Sequence, residues 1–238
     1  MAFPASAAHL IPAVAFLLAV STVAPAVAAD RVEIEGFAID RTEVTLSDFA
    51  AFADVSGVKT AAEREGGGHE WGGGWVRRPG WTVRTPFGSP PKDPAEPAVH
   101  VTWHEARDYC TLVGGRLPSR SEWERAAYQE YGGGTQVGFR QGQTYAYPTG
   151  ETPEGTNTSA ADAWPRHAPA GVTRVGINGL HDMGGNVWEW LADRDGDNAL
   201  TAGGSWWYGA EKMQADAMQW KSADFYAVYI GFRCAYDL

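Results

Sequence analysis

The chain has 238 residues, with 29 acidic against 19 basic side chains and a formal net charge of −10. That balance argues against a nucleic acid or an anionic membrane as partner, because both require a positive surface that displaces counterions. Hydrophobic residues at 44% and charged residues at 20% exclude disorder as the whole answer. The 29 glycines, 14 prolines and 11 tryptophans predict loops pinned by large aromatic side chains rather than long regular elements.

Residues 1–29 contain no Asp, Glu, Lys or Arg. Their apolar run, residues 10–20, is too short to span a bilayer as a helix. It is followed by Ala26-Val27-Ala28-Ala29, a small-residue cleavage pattern. Together these predict a secretory signal peptide cut after Ala28 or Ala29, a mature domain over 30–238, and a periplasmic or secreted location. The leading segment offers only His9 and the amino terminus as positive groups, so an uncleaved anchor or a misplaced start is the alternative. No later segment is apolar enough to enter a membrane.

Val32, Ile34, Phe37 and Ile39 alternate with charges and predict strand. Thr45 or Ser47 then caps a helix carrying Phe49, Phe52 and Val55, which stops at Gly57. Residues 66–97 are rich in glycine and proline but hold Trp71, Trp75, Trp81 and Phe87, which predicts an ordered surface loop clamped by aromatic rings. Thr102-Trp103-His104-Glu105 is a capping box. The helix it opens carries Trp103, Ala106, Tyr109 and Cys110 and ends at Gly114-Gly115. A second helix starts at Ser119 or Ser121 and carries Trp123, Ala126 and Ala127. Loop chemistry follows from Gly132 to Ala170, and three short strands are expected at 187–190, 203–207 and 228–234. No repeat or linker divides the mature chain.

Cys110 and Cys234 are the only cysteines. Two cysteines in an exported chain usually pair, with two free buried thiols as the alternative. His100 and His104 are spaced four apart, but His100 precedes the helix cap, so a shared metal is not expected. The run 193–198 imitates an EF-hand loop but has Gly196 at the fourth place and Gly204 where the bidentate Glu belongs, which predicts an acidic turn.

Several blocks, taken together, carry a resemblance. They are 37–45, then Pro97-Ala98-Val99-His100-Val101-Thr102-Trp103 with Gly115-Arg116-Leu117-Pro118 and Glu122-Trp123-Glu124. Next come Asn178-Gly179-Leu180-His181-Asp182-Met183, Gly185-Asn186-Val187-Trp188-Glu189-Trp190, Gly203-Gly204-Ser205-Trp206 and Gly231-Phe232-Arg233-Cys234-Ala235. In this order they resemble the sulfatase-modifying-factor, or formylglycine-generating-enzyme, family over nearly the whole mature chain. The resemblance implies an α+β, C-type-lectin-like fold with little regular structure: a small twisted antiparallel sheet, two helices and long loops. It implies a Cys110–Cys234 disulfide. It implies a calcium site from Asp182, Gly185, Val187 and Glu189, and a second from Asn157, Thr158, Asp162 and Trp164. It also implies a substrate cleft lined by Trp188, Ser205, Trp207 and Tyr208.

The family's name-giving reaction uses two cysteines just after Gly-Gly-Ser, which hold Cu(I). Tyr208 and Met213 stand in their places, so cysteine-to-formylglycine conversion is not expected. Calcium is the expected structural cofactor, and copper or iron is left open. Two functions follow from the resemblance. One is a calcium-stabilised periplasmic binding or accessory protein that holds a peptide or protein partner for a redox or maturation pathway. The other is a periplasmic oxidase using non-cysteine residues, of the kind that matures pyoverdine siderophores.

Overall fold

The computed structural model describes Met1 and residues 30–132, 138–159 and 163–238. The expected signal peptide, Met1 apart, and Asp162 of the second calcium set lie outside these. Among the described residues no helix is long and apolar enough to cross a membrane.

Strands β1 (Arg31–Ile34) and β2 (Phe37–Asp40) form a hairpin turned at Gly36, whose φ is +88°. The last strand, β9 (Ala235–Asp237), pairs with β2, so residues 31–40 and 235–237 close one three-stranded sheet. Helix α1 (Leu46–Ser56) is capped by Thr45 and stopped by Gly57 at φ +71°, as the cap residues predict. A short helix α2 (Ala61–Arg64) follows, opened by a Thr60–Glu63 capping box. At a single turn it is too short to show a hydrophobic period. Helices α3 (Trp103–Leu112) and α4 (Arg120–Tyr128) carry the capping boxes Thr102–Glu105 and Ser119–Glu122. The described residues thus hold four α-helices where two were expected from the resemblance.

Two further expectations need correction. The segment read as an aromatic-clamped loop contains a hairpin, β3 (Gly67–Trp71) with β4 (Trp75–Pro79). Trp71 and Trp75 face each other across its tip at 5.4 Å, and Gly68 lies so close to the buried His100 ring that a Cβ there would stand 2.2 Å from Nδ1. Aromatic cross-strand pairing supplies the order that a glycine-rich composition lacks. Residues 203–207 are not a strand. The strand precedes them, and Gly203 and Gly204 turn at φ +93° and +74°.

The second sheet has the order β7 (Gln219–Ser222), β6 (Asn198–Ala202), β5 (Trp188–Asp195), β8 (Ile230–Gly231). β8 runs parallel to β5 and the other pairs are antiparallel. The EF-hand mimic is the β5–β6 turn, with Asp195 opposite Asn198 around Gly196. Cys110 on α3 is joined to Cys234 just before β9, which bolts the helix layer to the first sheet.

Asp40 is buried beside this bolt, and its Oδ2 accepts the Cys234 N–H at 2.9 Å. Burial pushes its pKa up from 3.8 to about 6, against the opposing pull of the Cys234 N–H and Arg233. The folded value lies above the unfolded one. Its contribution to stability is therefore complete below about pH 4 and is lost as pH rises through about 6. Asp40→Asn keeps an acceptor for Cys234 and removes this loss. Between pH 4 and 7 the variant is expected to lose on the order of 2–3 kcal/mol less stability than the wild type. Urea unfolding at the two pH values measures this, and a pH-independent gap between the proteins contradicts it.

Candidate functional site: a buried charge cluster beneath an aromatic cleft

The stretch 178–189 links the helices to the second sheet through three non-glycine residues in the left-handed region: Asn178 (φ +58°), Asp182 (+57°) and Asn186 (+49°). Asn and Asp tolerate this conformation because their short polar side chains bond locally. Each is also tied down by its side chain. Asn178 Nδ2 donates to the Ala126 and Gln129 carbonyls at the end of α4. Asp182 accepts the Gly171 N–H and the Thr173 hydroxyl. Asn186 Nδ2 donates to Glu43 and to the Ala168 carbonyl, and its Oδ1 accepts from Asn157 Nδ2 and the Ala168 N–H. Gly185, at φ +83°, lies where a Cβ would come within 2.4 Å of the Asn157 carbonyl.

Arg233 is fully buried at the centre. Its Nε and Nη2 donate to Glu189 at 2.7–3.0 Å, Nη1 to the Asp40 and Arg41 carbonyls, and Nη2 also to the His181 carbonyl. These bonds match the five N–H groups of a guanidinium. Burial alone would pull its pKa down, but Glu189, Glu43 and Asp182 hold it above its ordinary value. The second Glu189 oxygen also accepts the Trp123 indole N–H at 2.7 Å. Glu43 is buried alongside and accepts from Asn186 and the Val187 N–H. Burial pushes its carboxyl well above the ordinary range, and the charges of Asp182 and Glu189 add to the shift.

The two expected calcium sets fare differently as placed. In the first, Glu189 is committed to Arg233 and Trp123, and both Asp182 oxygens already accept hydrogen bonds. A hard cation there would share oxygens with a guanidinium. Among the described residues no three His, Cys, Asp or Glu side chains converge to hold a metal. In the second set, Asn157 is buried and its Oδ1 has no hydrogen-bond partner. An orphaned buried oxygen of that kind suits an oxygen-seeking cation. His100 and His104 do not meet: His100 Nε2 lies 2.9 Å from the Pro86 carbonyl, while His104 faces Asp224 at 3.5 Å.

Above this cluster lies a cleft of about 350 Å³ lined by Thr158, Ser159, Trp164, Pro165, Trp206 and Trp207. The Gly203-Gly204 turn aims it. A Cβ at Gly203 would stand 2.9 Å from the Met183 carbonyl oxygen, and one at Gly204 3.1 Å from the Lys212 backbone. The Tyr208 N–H donates to the Ser205 carbonyl, and the Ser159 N–H donates to the Tyr208 carbonyl, which fastens the far wall to the near one. Of the four expected cleft residues, Trp207 lines this space and is 44% exposed. Ser205 and Trp188 are buried, and Tyr208 is half-buried with its ring 5.7 Å from Trp188 and 6.5 Å from Tyr229. Burial raises the Tyr208 hydroxyl above its ordinary pKa. Met213 is fully buried, with its sulfur packed beside Gly184, and does not face the cleft. Both cysteines are in the disulfide, and no free cysteine is present among the described residues.

Glu43 and Arg233 belong to this buried cluster, and residue patterns alone do not mark them. Arg233 comes nearest to an exception: a lone charge inside the apolar run 228–236 has to be paired if that run is core. Glu43 carries no comparable signal.

Comparison with known proteins shows the family and the fold. The sequence profile of the sulfatase-modifying factor enzyme 1-like domain matches residues 5–238. The formylglycine-generating enzyme of Thermomonospora curvata is 31% identical over 87% of this chain and 84% of its own length. The inactive C-alpha-formylglycine-generating enzyme 2 of Bos taurus is 29% identical over 86% of this chain and 78% of its own length. PvdO from Pseudomonas aeruginosa, at 22% identity, superposes over 85% of this chain and 80% of its own with a TM-score of 0.62, which bears out the α+β fold. This chain belongs to the sulfatase-modifying factor enzyme 1-like domain family.

Proposed function

We propose that this chain is an exported, non-canonical member of its family that does not make formylglycine and that holds a peptide or protein partner in the aromatic cleft, as an accessory to a redox or maturation pathway. One observation carries the reading: the chain's two cysteines are joined to each other. The positions after Gly-Gly-Ser hold a half-buried tyrosine and a fully buried methionine. A phenol is not a soft thiolate ligand, and a thioether sealed in the core can neither bind copper at the cleft nor attack a substrate thiol. That one relative is named as inactive is in keeping with this.

Calcium belongs to the proposal as a structural ion, with the Asn157 oxygen as its best-supported ligand. The second reading, an oxidase with Tyr208 as its acid or redox group, is favoured by the placement of that phenol between Trp188 and Tyr229.

The test combines turnover with metal content. Purified protein incubated with a cysteine-containing sulfatase peptide, copper and oxygen is expected to give no aldehyde by mass spectrometry, and to contain calcium without stoichiometric copper or iron. Formylglycine in the peptide would sink the reading. Stoichiometric copper or iron would transfer support to the oxidase. Trp207→Ala is expected to weaken partner binding at least tenfold without changing thermal unfolding, and an unchanged affinity removes the cleft from the proposal.

A further inference from the structure

Three of the exposed large apolar side chains lie together. Trp71, Trp75 and Trp207 are 43%, 46% and 44% exposed. Trp207 lies 5.7 Å and Trp75 6.3 Å from the buried Tyr229 ring, and Trp71 lies 5.4 Å from Trp75. Trp207 also contacts Trp206 at 5.6 Å, and both line the cleft. An aromatic band therefore begins in the cleft, crosses Tyr229 and ends on the tip of the β3–β4 hairpin. The tip is fixed to the body. The Trp71 N–H donates to the Tyr229 hydroxyl at 3.3 Å, the Val228 N–H to the His69 carbonyl at 3.0 Å, and the Trp75 ring packs 4.7 Å from Phe225. The Trp71–Trp75 pair explains the order of the hairpin but covers only the facing sides of the two rings. A single exposed aromatic needs no explanation, whereas several held side by side form a patch.

The size of the patch limits its occupant. A large aromatic side chain offers at most about 250 Å², so three rings less than half exposed offer about 300 Å². That is the scale of a functional surface patch. It falls far short of the roughly 800 Å² per partner that a second copy or another folded protein needs for stable association. A short segment of chain fits it. Charge is the second limit. Arg77 pairs with Glu65 and Arg78 with Glu70, so the charges of the hairpin are neutralised beside the band and ask for none on the ligand. Hydrogen bonding is the third. An indole N–H donates and cannot accept, so the polar atoms that the three tryptophan side chains offer are donors only.

A neutral segment with flat apolar faces and free acceptors meets all three limits. Polyproline II is such a segment: its rings are rigid, its prolines carry no N–H, and its carbonyls have no internal partner. It repeats a face every third residue, about 9 Å along its axis, and the shared contact with Tyr229 keeps Trp75 and Trp207 within about 12 Å of each other. A sugar would set its hydroxyl donors against a surface of donors. We propose that the cleft continues onto the β3–β4 hairpin, and that the aromatic band binds a neutral, proline-rich segment of the partner in the polyproline II conformation. The inference rests on the reading of the cleft as a peptide site and adds which kind of segment it takes and where that segment leaves the cleft.

The mature chain is titrated with three probes: acetyl-octaproline amide, an acetylated and amidated glycine–serine octamer, and maltohexaose. Calorimetry gives the affinities. Octaproline is expected to bind at least tenfold more tightly than either of the others. Trp71→Ala and Trp75→Ala are each expected to weaken that binding at least fivefold. Trp220→Ala removes a comparably exposed ring on β7, outside the band, and is expected to leave it unchanged. If Trp75→Ala does not fold, Trp71→Ala carries the test, since it leaves Trp75 on Phe225. Equal affinity for octaproline and the glycine–serine octamer, or no binding of octaproline, overturns the proposal. Tighter binding of maltohexaose also overturns it, and makes the band a sugar platform. Octaproline binding that survives Trp71→Ala and Trp75→Ala but not Trp207→Ala ends the site at the cleft, so the band is wrong and the cleft reading stands. The cleft reading is decided separately, by the effect of Trp207→Ala on the protein partner.

Discussion

Replacing Arg233 by methionine is expected to destabilise the protein by about 3–5 kcal/mol, because it removes one partner of a buried ion pair and leaves the other uncompensated. The geometry makes this a severe case. Arg233 and Glu189 side chains are both fully shielded from solvent, and Asp182 and Glu43 add negative charge to the same cluster. Methionine has about the right length to fill the space but offers no donor to Glu189 or to the Asp40, Arg41 and His181 carbonyls. Arg233→Met combined with Glu189→Gln is expected to cost clearly less than the sum of the two single changes, by about 1–3 kcal/mol, since the second change removes the stranded charge. Urea unfolding at neutral pH, with calcium and with a chelator, measures all of this. If calcium selectively restores the single variant, a cation can take the guanidinium's place at Glu189. A loss within about 1 kcal/mol for Arg233→Met would mean that the cluster is far wetter than its burial indicates.

Removing the Cys110–Cys234 bridge is the second large effect. The cysteines are 124 residues apart, and closing a loop of that length removes unfolded-chain entropy worth about 5 kcal/mol in the loop-closure account. The double variant Cys110→Ser with Cys234→Ser is therefore expected to unfold at a temperature lower by about 10–20 °C, taking roughly 2–4 °C per kcal/mol for a chain of this size. Both sulfurs are in the core, so two buried hydroxyls add to the loss. Thermal unfolding of the variant, and of the wild type under reductant, checks it. A shift under about 3 °C would show that the bridge only decorates contacts that already hold α3 against the strand.

Much of this molecule is legible in its residues. Thr102 with Glu105 and Ser119 with Glu122 are spaced as capping boxes, and both boxes form. Gly57 follows an apolar helix face, and it ends that helix in the left-handed conformation. These are local decisions, made by a hydroxyl and a carboxylate within one turn or by the absence of a Cβ. The Cys110–Cys234 pairing follows from the family resemblance, and the structure contains it.

The misreadings share a cause. Residues 203–207 contain two tryptophans and look like strand, but Gly203 and Gly204 turn in the left-handed region and pack closely on Met183 and Lys212, which lie elsewhere in the chain. The hairpin at 67–79 has a loop's composition and is held by Trp71 against Trp75 and by the fit of Gly68 onto His100. Met213 sits at a reactive position of the family's pattern, yet only packing decides that its side chain turns into the core. The candidate site shows the same division. The sequence by itself determined the family, the existence of α1, α3 and α4 with their cap chemistry, and the absence of a catalytic cysteine pair, because these depend on residue identity and short spacing. Only the tertiary structure decided that Glu189 faces Arg233, that Trp207 rather than Ser205 lines the open cleft, and that the Trp188 and Trp206 indoles lack acceptors. Those facts are set by groups tens to more than a hundred residues apart that the fold brings within a few ångströms.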